Sequence, residues 1–300
     1  TPTPTPTSTP TATPTPASSI VFVRKWGTNG MGNGEFYSPE GVVVASDGTV
    51  YVSDTYNHRI QRFTSNGDFV SEWGTEGTGD GQFKFPLGLA LASDGSVYVT
   101  DRVNARIQKF TSDGVFVTKW GSYGSNDGQF ENPKGITVAA DGSLYIADPG
   151  NKRIQKLTSD GVFITKWGSY GSNDGQFNEI WGIDVASDGS VYVADGLNHR
   201  IQKFSSNGIF IKKWGTFGTG DGQFRYPHGI AEGSDGKIYV ADNHRLQRFT
   251  PEGMFVSKLG TEGSADGQFR YPKGVASESN GSIYVVDGGQ HRIQKFSTGP

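Results

Sequence analysis

The chain of 300 residues has no cysteine, two methionines and no apolar run long enough to cross a bilayer. Without cysteine there are no disulfide bonds, so the fold must rely on buried apolar surface, which a closed domain of about 280 residues can supply. The missing cysteines therefore do not indicate a reducing compartment. The short apolar runs exclude a membrane-spanning helix from this sequence.

Recognisable catalytic motifs are also missing. The sequence contains no nucleophile elbow, no phosphate-binding loop and no zinc-ligand spacing. Its 27 Lys and Arg residues against 30 Asp and Glu give a net charge of −3, which provides no basic surplus for nucleic-acid phosphates. These absences predict a protein that is not an enzyme, carries no cofactor or metal, and does not bind nucleic acid.

Helical periodicity is absent as well, and a repeat occupies the chain instead. Tryptophans recur every 47 residues, and a leucine follows 45 residues after the last of them. These positions are Trp26, Trp73, Trp120, Trp167, Trp214 and Leu259. Aspartates and arginines follow the same period, at Asp54, Asp101, Asp148, Asp195, Asp242 and Asp287, and at Arg59, Arg106, Arg153, Arg200, Arg245 and Arg292. A period of this length indicates one supersecondary unit repeated six times.

Each repeat contains four short runs of β-branched and aromatic residues, separated by Asp-Gly or Asn-Gly turns. Four antiparallel strands per unit and six units predict an all-β, six-bladed β-propeller. We name the strands of a blade a to d from the inside outward. Residues 20–26 match strand d and residues 292–296 match strand c. The N-terminal strand is therefore predicted to complete the last blade and close a propeller domain over residues 19–300.

The repeat resembles the NHL repeat. The resemblance rests on Asn-His-Arg-Ile-Gln at 57–61 and 198–202, on Gly-Gln-Phe before each blade, and on Pro-x-Gly at strand a, and it covers residues 20–296. It implies a propeller that binds proteins or RNA, senses ligands outside cells, or acts as a metal-dependent amidating lyase. In that lyase branch, histidines at the Pro-x-Gly position bind the metal, and this chain has only His228 there. The other four histidines, which lie beside the repeat arginine, are expected to pack or hydrogen-bond in the b–c loops.

Residues 1–18 differ in composition from the rest and consist of threonine and proline with some serine and alanine. Such a segment favours polyproline II and cannot form a core. It is also typical of O-glycosylated stalks, with an unmodified linker as the alternative. The expected glycosylation sites are Thr1, Thr3, Thr5, Thr7, Ser8, Thr9, Thr11, Thr13 and Thr15. We expect an extracellular or cell-surface location and, because the sequence opens on threonine, a further segment upstream.

The repeats differ most in the d–a loops, so we expect a binding site on the face that carries them. The residue before the glycine of Pro-x-Gly should lie near the central channel. Trp181 stands there without the usual proline, where it either stacks on a ligand or plugs the channel. The candidate ligand- or partner-binding residues are Glu40, Lys84, Phe85, Lys134, Trp181, Arg225, Tyr226, His228, Arg270, Tyr271 and Lys273.

These observations favour a non-enzymatic, extracellular interaction or assembly module on a glycosylated stalk, and the subunit of a surface filament is one form that such a module takes. Its partner would then be another protein or further copies of the chain. The alternative is a ligand-sensing or carbohydrate-binding propeller. A metal-dependent lyase and an RNA-binding propeller are weaker readings, as is calcium binding by the aspartates that precede Gly-Gln-Phe.

Overall fold

A computed structural model describes residues 19–298. Within this part of the chain, the strands form six four-stranded antiparallel sheets arranged as the blades of a propeller. The predicted all-β, six-bladed architecture is confirmed. The Thr/Pro-rich segment and its expected glycosylation sites lie outside the described residues.

The strands run from the channel outward in every blade. Blade 1 contains β2 (Val42–Val44), β3 (Val50–Asp54), β4 (Arg59–Phe63) and β5 (Phe69–Trp73). Blade 2 contains β6 (Pro86–Leu91), β7 (Val97–Asp101), β8 (Arg106–Phe110) and β9 (Phe116–Trp120). Blade 3 contains β10 (Ile136–Val138), β11 (Leu144–Asp148), β12 (Arg153–Leu157) and β13 (Phe163–Trp167).

The remaining blades follow the same order. Blade 4 contains β14 (Ile180–Val185), β15 (Val191–Asp195), β16 (Arg200–Phe204) and β17 (Phe210–Trp214). Blade 5 contains β18 (Pro227–Glu232), β19 (Ile238–Asp242), β20 (Arg245–Phe249) and β21 (Phe255–Leu259). Blade 6 contains β22 (Pro272–Ser277), β23 (Ser282–Asp287), β24 (Arg292–Thr298) and β1 (Ile20–Trp26). Short 3₁₀ helices lie in three b–c loops, at Thr55–Asn57, Gly196–Asn198 and Gly288–Gln290.

The N-terminal strand closes the ring. Strand β1 pairs with β24 from Ile20 opposite Thr298 to Trp26 opposite Ile293, with a bulge between Phe22 and Arg24. This confirms the predicted completion of blade 6 and removes the open edge that an unclosed ring would leave.

The core lies between adjacent blades. Strand b is buried along its whole length, as in β11, because it lies between strands a and c and also faces both neighbouring blades. One such cluster joins Tyr145 and Ile154 of blade 3 to Ile183 and Val193 of blade 4. Each blade therefore buries its apolar surface only against its neighbours, as expected for a repeat unit that is unstable alone.

A tryptophan in strand d supports the next blade from outside. Gly208 lies in the c–d turn of blade 4 at φ +81°, directly against Trp167 of blade 3. A Cβ atom on Gly208 would lie 2.4 Å from Cδ2 of that indole ring. The same contact occurs at the other c–d turns. Blade 6 has no c–d turn, because its outer strand comes from the start of the chain, and the preceding blade carries Leu259 in place of tryptophan.

The repeat aspartate and arginine form a buried ion pair that holds the Gly-rich loop. In blade 2, Arg106 Nε donates to Asp101 Oδ2 at 2.7 Å. Its terminal nitrogens donate to three carbonyl oxygens of the loop that precedes the blade. Because the charges are paired and the donors satisfied, the pair can remain buried. The recurring aspartate and arginine therefore have a structural role in the blade.

The aspartates weighed as calcium ligands have lysine partners instead. Asp80 Oδ1 lies 2.5 Å from Lys119 Nζ across the edge of blade 2. The equivalent pairs are Asp127 with Lys166, Asp174 with Lys213, Asp221 with Lys258, and Asp266 with Lys25. An ammonium group at this distance occupies the position that a cation would need.

Candidate functional site

The b–c and d–a loops lie on one face of the propeller, which we call the upper face. The buried aspartate of each blade positions its d–a loop, since Asp101 Oδ1 accepts the Lys84 N–H and Asp287 Oδ1 accepts the Arg270 N–H, both at 2.7 Å. A histidine braces the next d–a loop in two places: His58 Nδ1 accepts the Phe85 N–H at 3.1 Å, and His291 Nδ1 does the same for residue 38. The candidate loops are thus fixed by the buried network beneath them.

The residues before the glycine of strand a surround the upper end of the central channel, as predicted. They are Glu40, Leu87, Lys134, Trp181, His228 and Lys273. Glycine follows each of them because the strands converge there: a Cβ atom on Gly229 would lie 2.2 Å from the Lys273 carbonyl oxygen. The tight ring brings together side chains from all six blades.

Trp181 forms the centre of a compact cluster at this end of the channel. Its ring lies against His228, with centroids 4.1 Å apart and planes inclined by 35°. Lys134 Nζ lies 3.1 Å from the indole centroid, and Lys273 Nζ lies 5.2 Å from it. Two ammonium groups over one indole form cation–π contacts. Only about 90 Å³ of space remains below the cluster. The side chains therefore fill the mouth of the channel, which agrees with the alternative that Trp181 plugs it.

Charges around the plug are paired and strongly perturbed by burial. Lys134 contacts Glu179 at 2.5 Å, and Lys273 lies 3.8 Å from Glu40. Burial lowers the pKa of Lys134 to about 8, although contact with Glu179 opposes the shift. Burial raises the pKa of Glu40, with Lys273 opposing. Burial, reinforced by the two lysines, lowers the pKa of His228 well below its usual value, so the imidazole is neutral at pH 7.

The largest opening beside the plug is a cleft between blades 6 and 1, which we call the rim cleft. It has a volume of about 450 Å³ and is formed mainly by Tyr37, Tyr56, Tyr271, His291, Glu40 and Lys273. The three tyrosines are 48%, 49% and 60% exposed, so their rings are available to a ligand. Pockets of this size that combine aromatic walls with polar side chains are typical of small-molecule sites.

The walls of the rim cleft continue into an aromatic row. Tyr37 and Tyr56 have ring centroids 5.2 Å apart, Tyr56 and Phe85 also 5.2 Å, and Phe85 and His58 4.7 Å. Tyr271 and Phe85 hold positive φ values of 52° and 57°. Ser38 and Asn132 adopt the same conformation at the equivalent position of other blades, so it is a property of the d–a loop in this repeat.

The predicted site residues divide into two groups. Glu40, Lys134, Trp181, His228 and Lys273 come together at the channel. The others lie on the outer d–a loops of the same face. Lys84 and Phe85 precede blade 2, and Arg270 and Tyr271 precede blade 6. Arg225 and Tyr226 precede blade 5 and lie near Phe217 and His199.

Sequence reasoning missed three members of the rim cleft: Tyr37, Tyr56 and His291. Tyr56 interrupts a b–c loop position that is otherwise aliphatic or glycine, so a comparison of those loops could have identified it. The four repeat histidines pack or hydrogen-bond, as expected. His58 and His291 accept backbone N–H groups, whereas His199 and His244 pack against aromatic rings and leave Nδ1 buried without a hydrogen-bond partner.

The residues around His228 do not fit a metal. Its neighbours at the mouth are an indole ring, which offers no ligand atom, and two ammonium groups, which repel a cation. Over residues 19–298, no group of three or more His, Asp or Glu side chains is arranged to hold a metal ion. No helix in the same range is long and apolar enough to cross a membrane.

Comparison with known proteins identifies the repeat. The NHL repeat family matches six segments that together exceed half of the chain: 36–63, 83–110, 130–157, 177–204, 224–249 and 269–296. No curated protein sequence matches the chain.

Solved structures share the fold at low identity. A streptogramin B lyase is 18% identical, with 94% of this chain and 99% of that one covered and a TM-score of 0.65. A virginiamycin B lyase from Staphylococcus aureus is 17% identical, with coverage of 93% and 99% and a TM-score of 0.63. A gluconolactonase from Xanthomonas campestris is 14% identical, with coverage of 95% and 99% and a TM-score of 0.68.

These similarities correct one prediction. The inference from missing motifs that the chain is not an enzyme is overturned, because structures with the same fold include lyases and a gluconolactonase. A propeller assembles its site from distant blades, so a local motif need not mark catalysis. At this level of identity the similarity shows the fold and assigns no reaction to this chain.

Proposed function

The chain belongs to the NHL-repeat family, and we propose that it is a carbohydrate-binding propeller displayed outside the cell, with the rim cleft as its binding site. The observation that carries the proposal is the cleft itself: three exposed tyrosines around a carboxylate and an ammonium group. The composition of residues 1–18, typical of an O-glycosylated stalk, supports the extracellular location.

The chemistry of the cleft suits a saccharide. A sugar ring presents apolar C–H faces, which pack on aromatic rings such as Tyr37 and Tyr271. Its hydroxyl groups both donate and accept hydrogen bonds, and the floor of the cleft offers Glu40 as an acceptor and Lys273 as a donor. Contact between those two side chains is long, at 3.8 Å, so a hydroxyl group can bond to both without breaking a tight ion pair.

The test is direct binding. Purified protein is screened on a printed array of oligosaccharides, and the best-retained one is titrated by isothermal calorimetry. Tyr37→Ala and Tyr271→Ala should each weaken binding about tenfold, because one aromatic contact is worth roughly 1 kcal/mol or more. Tyr170→Ala is the control, since Tyr170 is 69% exposed but lies on blade 4. Retention of no oligosaccharide, or equal loss in all three variants, would refute the proposal.

Display outside the cell has its own test. Intact-mass and glycopeptide spectra of natively purified protein should show hexose increments on residues 1–18. A mass equal to that of the bare polypeptide would remove this support.

A second function, lateral assembly with further copies of the chain, is favoured by the outer strands. In blades 2 to 4, strand d and the residue directly before it expose two aliphatic side chains, namely Val115 and Val117, Val162 and Ile164, and Ile209 and Ile211. These strands are also sheet edges with unpaired backbone groups, and exposed apolar edges template pairing between chains. Because the edge is the same in every copy, two copies can pair antiparallel about a twofold axis.

Assembly is tested by sedimentation velocity over a range of concentrations. The protein should form dimers or larger species, and a variant with Val117→Glu, Ile164→Glu and Ile211→Glu should remain monomeric. A wild-type protein that stays monomeric at 1 mM would rule the interface out.

A further inference from the structure

Blade 5 differs from the others in its b–c loop. Two residues separate Asp242 from Arg245, whereas four separate Asp195 from Arg200 in blade 4. In blades 1 to 4 the loop carries an asparagine that fills the space under the Gly-rich loop; Asn198 Nδ2, for example, donates to the Gly171 carbonyl at 2.8 Å. Blade 5 lacks a residue in that position.

A cavity of about 320 Å³ lies where the loop is shortened. Gly218, the counterpart of Gly171, forms one wall. The far side is formed by Gly260, Thr261 and Glu262 of the next Gly-rich loop, and the Glu262 carboxylate lies 3.8 Å from His244 Nε2. Arg225, His244, Arg245 and Lys258 also line it. The cavity shares no lining residue with the rim cleft, although His244 of the cavity packs against Tyr271 of the cleft.

Arg225 gives the cavity an available positive charge. The residue is exposed, and no carboxylate among the described residues forms an ion pair with it, whereas Arg245 pairs with Asp242 and Lys258 with Asp221. Its guanidinium group lies 6.0 Å from the ring of Phe217, which is itself exposed. A guanidinium group binds carboxylates through two parallel hydrogen bonds.

His244 adds a polar group that the fold leaves unused. Its Nδ1 atom is buried and has no hydrogen-bond partner, unlike Nδ1 of His58, which accepts a backbone N–H. Its ring also contacts Tyr271, with centroids 5.0 Å apart. A buried nitrogen without a partner is costly unless a ligand or water satisfies it.

From these observations we propose that the blade-5 cavity binds a small carboxylate-bearing ligand of about the size of one sugar ring. Arg225 binds the carboxylate, and His244 bonds to one of the ligand's hydroxyl groups. The site shares no lining residue with the rim cleft and goes beyond the carbohydrate-binding function proposed above.

The test uses the whole protein and glucuronate as the probe, with glucose and inorganic phosphate as comparison ligands, in calorimetric titrations. Glucuronate should bind saturably in the millimolar range or tighter, and glucose and phosphate at least tenfold more weakly. Arg225→Gln should reduce the affinity at least tenfold. Lys166→Gln, which removes a surface ammonium group from blade 3, is the control and should leave the affinity unchanged.

A second variant lengthens the b–c loop so that it fills the cavity while the charge of Arg225 is kept. Replacing Asn243 by Gly-Leu-Asn, the sequence of blade 4 at 196–198, restores the four-residue loop and should abolish glucuronate binding while keeping Arg225. Circular dichroism and the melting temperature show whether this variant folds. The proposal is overturned if wild type does not bind glucuronate, if phosphate binds equally well, or if the folded loop variant binds as wild type does.

Discussion

The contact between Trp167 and Gly208 makes a quantitative prediction about what holds adjacent blades together. Substitution Gly208→Ala introduces two costs. The backbone is held at φ +81°, where an L-residue loses about 1–2 kcal/mol. The new Cβ atom would also lie 2.4 Å from the indole ring, and such overpacking costs about 1–3 kcal/mol more.

Gly142→Ala is a matched control. Gly142 lies in the a–b turn of blade 3 at φ +82°, with no other atom within 4 Å of an added Cβ. Both glycines donate their N–H to the carbonyl three residues earlier at 2.9 Å. The control thus carries the backbone cost alone, and Gly208→Ala should be less stable than Gly142→Ala by about 1–3 kcal/mol.

Equilibrium unfolding in guanidinium chloride, followed by circular dichroism, measures both variants, and the slope with denaturant should stay the same. In a Trp167→Leu background, which copies the leucine found at 259, the excess cost of Gly208→Ala should largely disappear. Equal destabilisation by the two glycine substitutions, within about 0.5 kcal/mol, would refute the view that this contact joins the blades.

Three further predictions concern closure and the channel. Deletion of residues 20–26 exposes the edge of blade 6 and should yield an aggregating or unfolded protein by gel filtration. Burial raises the pKa of Asp184 from 3.8 to about 6. Because the fold disfavours the ionised carboxylate, the free energy of unfolding decreases as the pH rises through this interval. Asp184→Asn should therefore stabilise the protein by up to ~3 kcal/mol at pH 7 and have little effect at pH 4, as measured by urea unfolding at both pH values; the opposite order would contradict this account. Since the pKa of Lys134 is about 8, Trp181 fluorescence should change near that pH in wild type and not in Lys134→Met.

The sequence predicted the architecture because the same residue pattern occurs in all six repeats, so each inference rests on six examples. Asp54 and Arg59 recur at one spacing in every blade, so their pairing could be inferred without coordinates. Closure of the ring could be predicted from the two ends of the domain. Residues 20–26 have the pattern of the outer strand d, and residues 292–296 have the pattern of strand c, which pairs with it.

The binding surfaces were only partly predictable. His291 braces the loop at residue 38 across the junction of the ring, 253 residues away in sequence, and no local pattern reveals such a pair. The order of residues placed Lys134 and Trp181 near the channel, but their contact depends on how closely the glycines let the strands converge. The 45-residue spacing marked blade 5 as shorter, whereas the cavity it leaves is visible only in three dimensions.

The strand that completes the ring also determines how the protein would respond to traction. The Thr/Pro-rich segment continues in sequence directly into β1, so a pull on it reaches the propeller at Ile20. Ile20 is opposite Thr298 at one end of the ladder between β1 and β24. An outward force would therefore break the hydrogen bonds of this ladder one after another, starting from Ile20. Trp26, packed against the core between blades 6 and 1, would be the last to bear the load.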